Sequence, residues 1–354
     1  YKNVTKEDKT VYVKASAKGY TEKVESSTVT ITPKALKVTA DNKSKKYGKD
    51  DPELTYQKEN GVKEEVPGFE GKLERVSGEE LGTYDINQGT LKLKDNKDFK
   101  ADNYELVYVK GELEIVKNDE LQLAVDPYNG TYDGQSHGVN VTKASAGKET
   151  VSLQYSTDGK NWVDKVEYID VTNGAQKVYV KASAKGYKDK IAESSVTITP
   201  ATLTVTANNA SKKYAEADPE TFEYTPGAGV NGEVAGFTGT LTRVSGEDVG
   251  HYAINQGSLA LVDNGSFKAG NYTLSYVAGD FEIVNSDKLE LTLAPYNNAY
   301  DGDSHGVSVT KANAGTETVK LQYSKDGKTW QDDPITYKNV TKEDKTVYVK
   351  ASAK

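Results

Sequence analysis

Few residues in this chain have the types and spacing for chemistry. The 354 residues include three histidines and no cysteine, so disulfides, thiolate nucleophiles and Cys-type zinc sites are excluded. His137 and His305 stand in equivalent Ser-His-Gly triplets, and Asp133, Ser136 and His137 together carry the residue types of a hydrolytic triad. Their spacing does not serve that chemistry. Neighbours on a strand face opposite sides, so Ser136 and His137 do not share a site, and the triplet reads as a turn entering a strand. His251 is replaced by Thr83 in its sister repeat, which removes it from any activity both repeats share.

The loops Asp95-Asn96-Lys97-Asp98 and Asp263-Asn264-Gly265 come nearest to a calcium site. An EF-hand needs an oxygen ligand where Lys97 stands and a glutamate where Leu106 stands, so the pattern fails twice. Phosphate-cradling and dinucleotide glycine motifs are absent, and neither a metal nor a cofactor is expected. Trp162 and Trp330 are the candidate binding residues. Each follows an Asp-Gly-Lys hairpin turn. Exposed, they would stack on a sugar ring; packed inward, they would anchor a core, the commoner fate beside a hairpin. Arg75 with Glu79 and Arg243 with Glu247 read as ion pairs across a turn, worth little if exposed. The 24 tyrosines against six phenylalanines suit both thin cores with wet rims and adaptable binding surfaces.

The elements that carry these residues come from a repeat. Tyr1 to Lys18 recur verbatim as Tyr337 to Lys354, and within a weaker copy of the same text Val11 to Tyr20 return as Val178 to Tyr187. Two module types alternate. A Lys-Lys-Tyr module occupies residues 34–116 and 201–284. Its markers are Lys45-Lys46-Tyr47-Gly48 with Asp51-Pro52, and Lys212-Lys213-Tyr214-Ala215 with Asp218-Pro219. A Tyr-Asp-Gly module occupies 117–200, marked by Tyr132-Asp133-Gly134. Residues 1–33 match its carboxyl-terminal part and residues 285–354, with Tyr300-Asp301-Gly302, its amino-terminal part. The last module has no counterpart of residues 19–33, which predicts an unpaired edge and strand addition from a neighbouring chain.

Period-two alternation runs through Val11 to Ala15, Leu36 to Ala40, Leu113 to Val116 and Leu289 to Leu293, with apolar residues on one face and Thr, Lys or Glu on the other. That pattern predicts half-buried antiparallel strands. Asp158-Gly159, Asp326-Gly327 and Asn129-Gly130 supply the turns. No long segment keeps a helical period. Single helical turns are expected after Asp51-Pro52 and at Gly78 to Leu81. The fold class is therefore all-β: a tandem array of small antiparallel β domains, immunoglobulin-like sandwich or β-grasp-like. Short joints marked by Pro33 and Pro200 predict an elongated rod.

The Lys-Lys-Tyr module resembles the MBG domains of bacterial surface proteins in their Tyr-Gly-x form. The resemblance rests on Tyr47-Gly48-Lys49, Asp51-Pro52, Gly68-Phe69-Glu70-Gly71, Gly82-Thr83-Tyr84-Asp85-Ile86 and Asn103-Tyr104. The second copy departs from it at Ala215. The Tyr-Asp-Gly module resembles the YDG-like or immunoglobulin-like repeats that alternate with such domains. This implies a secreted or surface-anchored adhesin-like bacterial protein, and brings no ligand or catalytic residue set. Such cysteine-free domains sometimes carry Lys–Asn isopeptide crosslinks, but no spacing here singles out a pair.

Net charge is −8, from 53 acidic and 45 basic residues with the signs interspersed. No basic stripe is present, which argues against nucleic acid or an anionic membrane surface as partner. No targeting or membrane-spanning segment is present within the chain, and the absence of methionine predicts an internal piece of a longer protein. The expected role is a non-catalytic stalk of a bacterial cell-surface adhesin, projecting a distal binding domain. The alternatives are that each repeat pair binds host glycans or matrix proteins weakly and gains by avidity, or that the chain is an accessory region of a glycan-degrading enzyme. Neighbouring repeats are the expected partners within the chain.

Overall fold

The computed structural model describes residues 1–353; Lys354, the end of the 285–354 module, lies outside the described residues. The chain forms two compact units. One comprises Tyr1–Gly130 and Gln135–Thr199; the other comprises Thr131–Gly134 and the residues from Pro200 on.

Strands dominate both units, and no helix among the described residues is long and apolar enough to cross a membrane. In the 34–116 module Lys34–Ala40 alternates exposed and buried residues, and the matching Ala201–Ala207 does so without a break. Each inward side chain lands on a common core of Leu36, Val38, Ile86, Phe99 and Leu113, all at most 1% exposed. Such burial, at about 25 cal/mol per Å² of apolar surface, is what holds a module this small together.

One three-stranded sheet places Lys34–Ala40 between Tyr104–Val109 and Tyr56–Lys58. One four-stranded sheet runs Lys43–Lys46, Gly111–Val116, Gly82–Asn87, Glu74–Arg75. Alternation predicted antiparallel pairing, yet two pairs in this module are parallel: Leu36 opposes Leu106, and Lys43 opposes Leu113. The 201–284 module repeats both, with Leu203 opposite Leu274 and Ala210 opposite Phe281. The cause is that two long strands each bend once, near Asp41 and near Lys110, and pass side by side from one sheet into the other. A period-two pattern reports which face is buried and says nothing about strand direction.

In the 117–200 module, Gln122–Asp126 pairs with Asn140–Ser145, and a four-stranded sheet runs Tyr128–Thr131, Lys190–Thr199, Gln176–Ser183, Ser152–Ser156. Val178, Val180, Val196 and Ile198 face inward from the latter.

The short helices fall elsewhere than expected. They are three-residue 3₁₀ turns at Val62–Glu64 and Ala101–Asn103, with equivalents at Val230–Gly232 and Ala269–Asn271. Gly78 to Leu81 makes no helical turn, because Arg75 takes the Gly78 carbonyl and the Glu79 carboxylate for itself.

Candidate functional site

The strand Lys43–Lys46 turns Lys45 inward, leaving its side chain 4% exposed. An isolated buried ammonium would be costly, so partners must converge on it. Asp51 and Glu79 each stand 2.6 Å from its Nζ. Arg75, itself 10% exposed, closes the group. Its Nε lies 2.6 Å from Asp51, its Nη2 reaches Glu79, and its Nη1 donates to the carbonyls of Val76 and Gly78. The 201–284 module rebuilds the same cage from Lys212, Asp218, Arg243 and Glu247. The motif residues Lys45 and Asp51 thus belong with the Arg–Glu pair, and this arginine is no exposed surface charge.

The Arg75 guanidinium first, and Lys45 less, outweigh burial and hold the Asp51 carboxyl down from 3.8 to about 2. Burial pushes Lys45 down, but its hydrogen bonds to Asp51 and Glu79 win and the net shift is upward. The sign for stability follows from the depressed carboxyl. The cage contribution is fully present above about pH 4 and is lost as the pH falls through about 2. Acid titration of the circular dichroism signal is expected to show this loss, at higher pH in Arg75→Ala than in the parent protein.

An isopeptide bond needs a neutral amine and an uncharged acceptor. Both buried lysines face ionised carboxylates instead. An intact mass equal to that of the sequence, with no ammonia or water lost, is the expected result.

The next residue along is a joint. Tyr47 closes a second apolar cluster with Ile115, Leu121, Ala146, Ala182 and Tyr187, so the core of residues 34–116 continues into residues 117–200. The Tyr47 hydroxyl donates to Glu149 at 3.1 Å, and its ring meets Tyr187 edge-on at 6.2 Å. Asn118, 2% exposed, satisfies the backbone here. Its side chain donates to the Tyr47 carbonyl, its N–H to the Gly186 carbonyl, and its own carbonyl accepts from Lys188. In the second unit Tyr214 donates to Glu317 at 2.9 Å.

Charges flank both joints. Lys46 pairs with Asp119, and Lys213 with Asp287. Lys49 pairs with Glu120 at 2.8 Å; the corresponding pair is Glu216 with Lys288 at 3.1 Å. The polarity is reversed and the pair is kept. Each is exposed and worth little alone, so the swap speaks for register rather than for strength.

The catalytic suspects do not converge. Ser136 donates to Glu167, while the His137 ring stacks on Tyr128 at 4.1 Å. His305 stacks on Tyr296 at 4.0 Å and approaches Asp301. His251 stands 2.8 Å from Asp280, which raises its pKa. The acidic loops are tied to their own backbone: Asp95 accepts from the Ala101 N–H, and Asp263 from the Ala269 N–H.

Trp162 and Trp330 are half-buried and stand outside the buried core. Lys181 lies 4.6 Å over the Trp162 ring, and Lys350 lies 5.1 Å over the Trp330 ring. The ammonium thus occupies the face on which a sugar would stack. Asp158, whose turn precedes Trp162, accepts the Lys160 and Asn161 N–H groups.

A profile of the MBG domain (YGX type) matches residues 36–114 and 203–282. The chain carries two MBG domains. The resemblance read from Tyr47-Gly48-Lys49 and the motifs after it is confirmed in both copies, and no catalytic domain is matched. No curated protein matches the chain. Among solved structures it is similar to the protocadherin GammaB4 extracellular domain, at 10% identity and a TM-score of 0.26, over 94% of this chain and 66% of that one. It is also similar to cadherin domains 3–6 of protocadherin gamma B2, at 10% identity and a TM-score of 0.22, over 78% and 83%. The chain spans 66% of the length of the first of these.

In the first MBG domain Gly48 has φ +73°; in the second, Ala215 holds φ +65° with a Cβ. That left-handed conformation costs a non-glycine residue about 1 kcal/mol or more. Gly loses more entropy on folding, which returns part of it. Ala215→Gly is expected to stabilise the second MBG domain by about 0.5 kcal/mol, read as a raised midpoint in urea.

Proposed function

We propose that this stretch is a non-catalytic spacer of a bacterial cell-surface adhesin, carrying a binding domain away from the cell. The observation that carries the reading is the apolar cluster shared by each side of the Tyr47 joint. A flexible linker would transmit neither position nor load, whereas a shared core makes an MBG domain and its following module one stiff piece. Serial pieces of this kind give reach, and small domains unfolding one at a time absorb shear.

The chain has no cysteine, so spin labels can be placed cleanly. Labels at Lys92 and Lys165, both exposed, are expected to give one narrow distance distribution. A broad distribution would sink the stiff-spacer reading.

A second reading keeps Trp162 and Trp330 as weak binding sites for host glycans or matrix proteins. Its support is the recurrence of the same tryptophan–lysine pair in both copies. Arrays of glycans, mucin and matrix proteins decide between the two. Silence from the folded protein favours the spacer. A signal lost in Trp162→Ala and strengthened in Lys181→Ala, which uncovers the ring, favours binding.

A further inference from the structure

The outer face of one sheet in the 117–200 module gathers side chains that neither its core nor its joints use. In Gln176–Ser183 the residues Val178, Val180 and Ala182 are fully buried, so Tyr179 and Lys181 stand on the other face. Gln154 lies opposite Lys181 on one neighbouring strand, and Ile191, 55% exposed, lies opposite it on the other. The Asp158-Gly159 turn delivers Trp162 to the same place, where Lys181 Nζ stands 4.6 Å from its ring. Tyr179 lies beside the turn, 3.6 Å from where a Cβ at Gly159 would be. Two aromatic rings, a cation, an amide and an aliphatic side chain thus share one side of the sheet.

The neighbouring charges are taken, and that of Lys181 is not. Lys177 pairs with Glu193 at 2.7 Å. Asp158 spends its carboxylate on its own turn, accepting from Ser156, Lys160 and Asn161. Lys160 and Asp164, both exposed, flank the turn with opposite signs. Among the described residues Lys181 makes no ion pair, and the Gln154 side chain makes no hydrogen bond.

The second copy keeps this arrangement while the residues around it change. Lys350 lies 5.1 Å over Trp330, Gln322 lies opposite Lys350, and Tyr348 lies beside Gly327. Asn161, Val163 and Lys177 have become Thr329, Gln331 and Thr346. Lys350 likewise makes no ion pair among the described residues.

A lysine seated on an indole, with no carboxylate of its own, selects by charge. A neutral sugar has to displace the ammonium from the ring and gives it nothing in return. A sugar that bears an anion displaces the ammonium and then binds it. The lysine exchanges a cation–π contact for a charge-assisted hydrogen bond, and the freed indole face takes the C–H face of the sugar. Gln154 has both donors and an acceptor for hydroxyl groups. An acidic peptide would satisfy the lysine and leave the indole uncovered.

We infer that Trp162 with Lys181, and Trp330 with Lys350, are sites for an acidic glycan, a sugar chain bearing carboxylate or sulfate, and that the lysine determines the specificity. This deepens the second reading of the function and rests on it. Each site is small, and two of them on one chain gain by avidity on a polymeric ligand.

The chain has two tryptophans and both stand in these sites, so intrinsic fluorescence reports on them alone. The test is titration of the full chain with an oligogalacturonate, a sulfated galactan and an uncharged galactan of matched length. At least one acidic oligosaccharide is expected to bind about tenfold more tightly than the uncharged one, and to lose most of that margin in about 0.5 M salt. The tighter of the two acidic ligands identifies the anion. Lys181→Ala combined with Lys350→Ala, neither of them a core residue, is expected to reverse the order: acidic binding falls about tenfold and uncharged binding rises about threefold. Uncharged galactan bound as tightly as the acidic ligands, or acidic binding that ignores the loss of both lysines, overturns the inference and leaves the tryptophans as sites. Polyglutamate bound as tightly as the acidic sugars overturns it in favour of charge alone. No fluorescence change with any ligand, from a chain of native circular dichroism, overturns both the inference and the reading beneath it.

Discussion

Gly186→Ala destabilises the first unit by about 3 kcal/mol and loosens the joint after the first MBG domain. Two effects add. Gly186 holds φ +75°, which charges any Cβ-bearing residue about 1 kcal/mol. A Cβ there would also stand 2.2 Å from Cγ of Tyr47, a ring 9% exposed within the shared cluster. The contact is at the root of the ring, so Tyr47 has to leave its place. The chain contains its own control. Gly19, the repeat equivalent, holds φ +88° with nothing within 4 Å. Gly19→Ala therefore carries the backbone cost alone, and the difference between the two variants isolates the joint. Urea unfolding gives the magnitude. Hydrogen exchange at the Asn118 and Lys188 amides, both bonded within the 117–200 module where Asn118 meets Tyr47, gives the place. Equal effects of the two substitutions would remove the joint from the account.

Arg75→Ala costs the first MBG domain about 2 kcal/mol. Breaking a fully buried ion pair costs about 3–5 kcal/mol, because a charge is left without its partner. The figure is lower here because the Asp51 and Glu79 side chains are 40% and 64% exposed, and water takes over part of the lost contact. Lys45 keeps its two carboxylates, but the Val76 and Gly78 carbonyls lose their donor. Arg75→Lys is expected to recover little, since an ammonium cannot fork to Asp51, Glu79 and two carbonyls at once. The same pair of substitutions at Arg243 should read alike. Full recovery by lysine would reduce the cage to a matter of net charge.

Much of the molecule is legible in the order of its residues. The internal repeats expose the two module types, and the motifs at Tyr47-Gly48 and Asp51-Pro52 mark the MBG domains. The joint leaves a signal there too, fainter than the motifs. Lys49 and Glu120 exchange signs together at Glu216 and Lys288, a covariation between copies that marks residues in contact. The tyrosine excess resolves in part toward thin, wet-rimmed cores: Tyr104 is 8% exposed, yet its hydroxyl serves both Val62 and Glu65.

The sequence by itself determined that the chain is a β-rich array and where strands such as Lys34–Ala40 and Gly111–Val116 alternate, because period-two patterning and Gly-marked turns are local properties; Lys9–Ala15 forms its strand but is exposed on both faces, against the half-buried expectation. Tertiary structure decided the rest. Lys45 meets Glu79 across 34 positions, and Tyr47 meets Glu149 across 102. The parallel course of the two bent strands is likewise a matter of which distant segments lie side by side. Local alternation is blind to such pairings, since the same inward face packs against either neighbour and only closure of the whole core selects one.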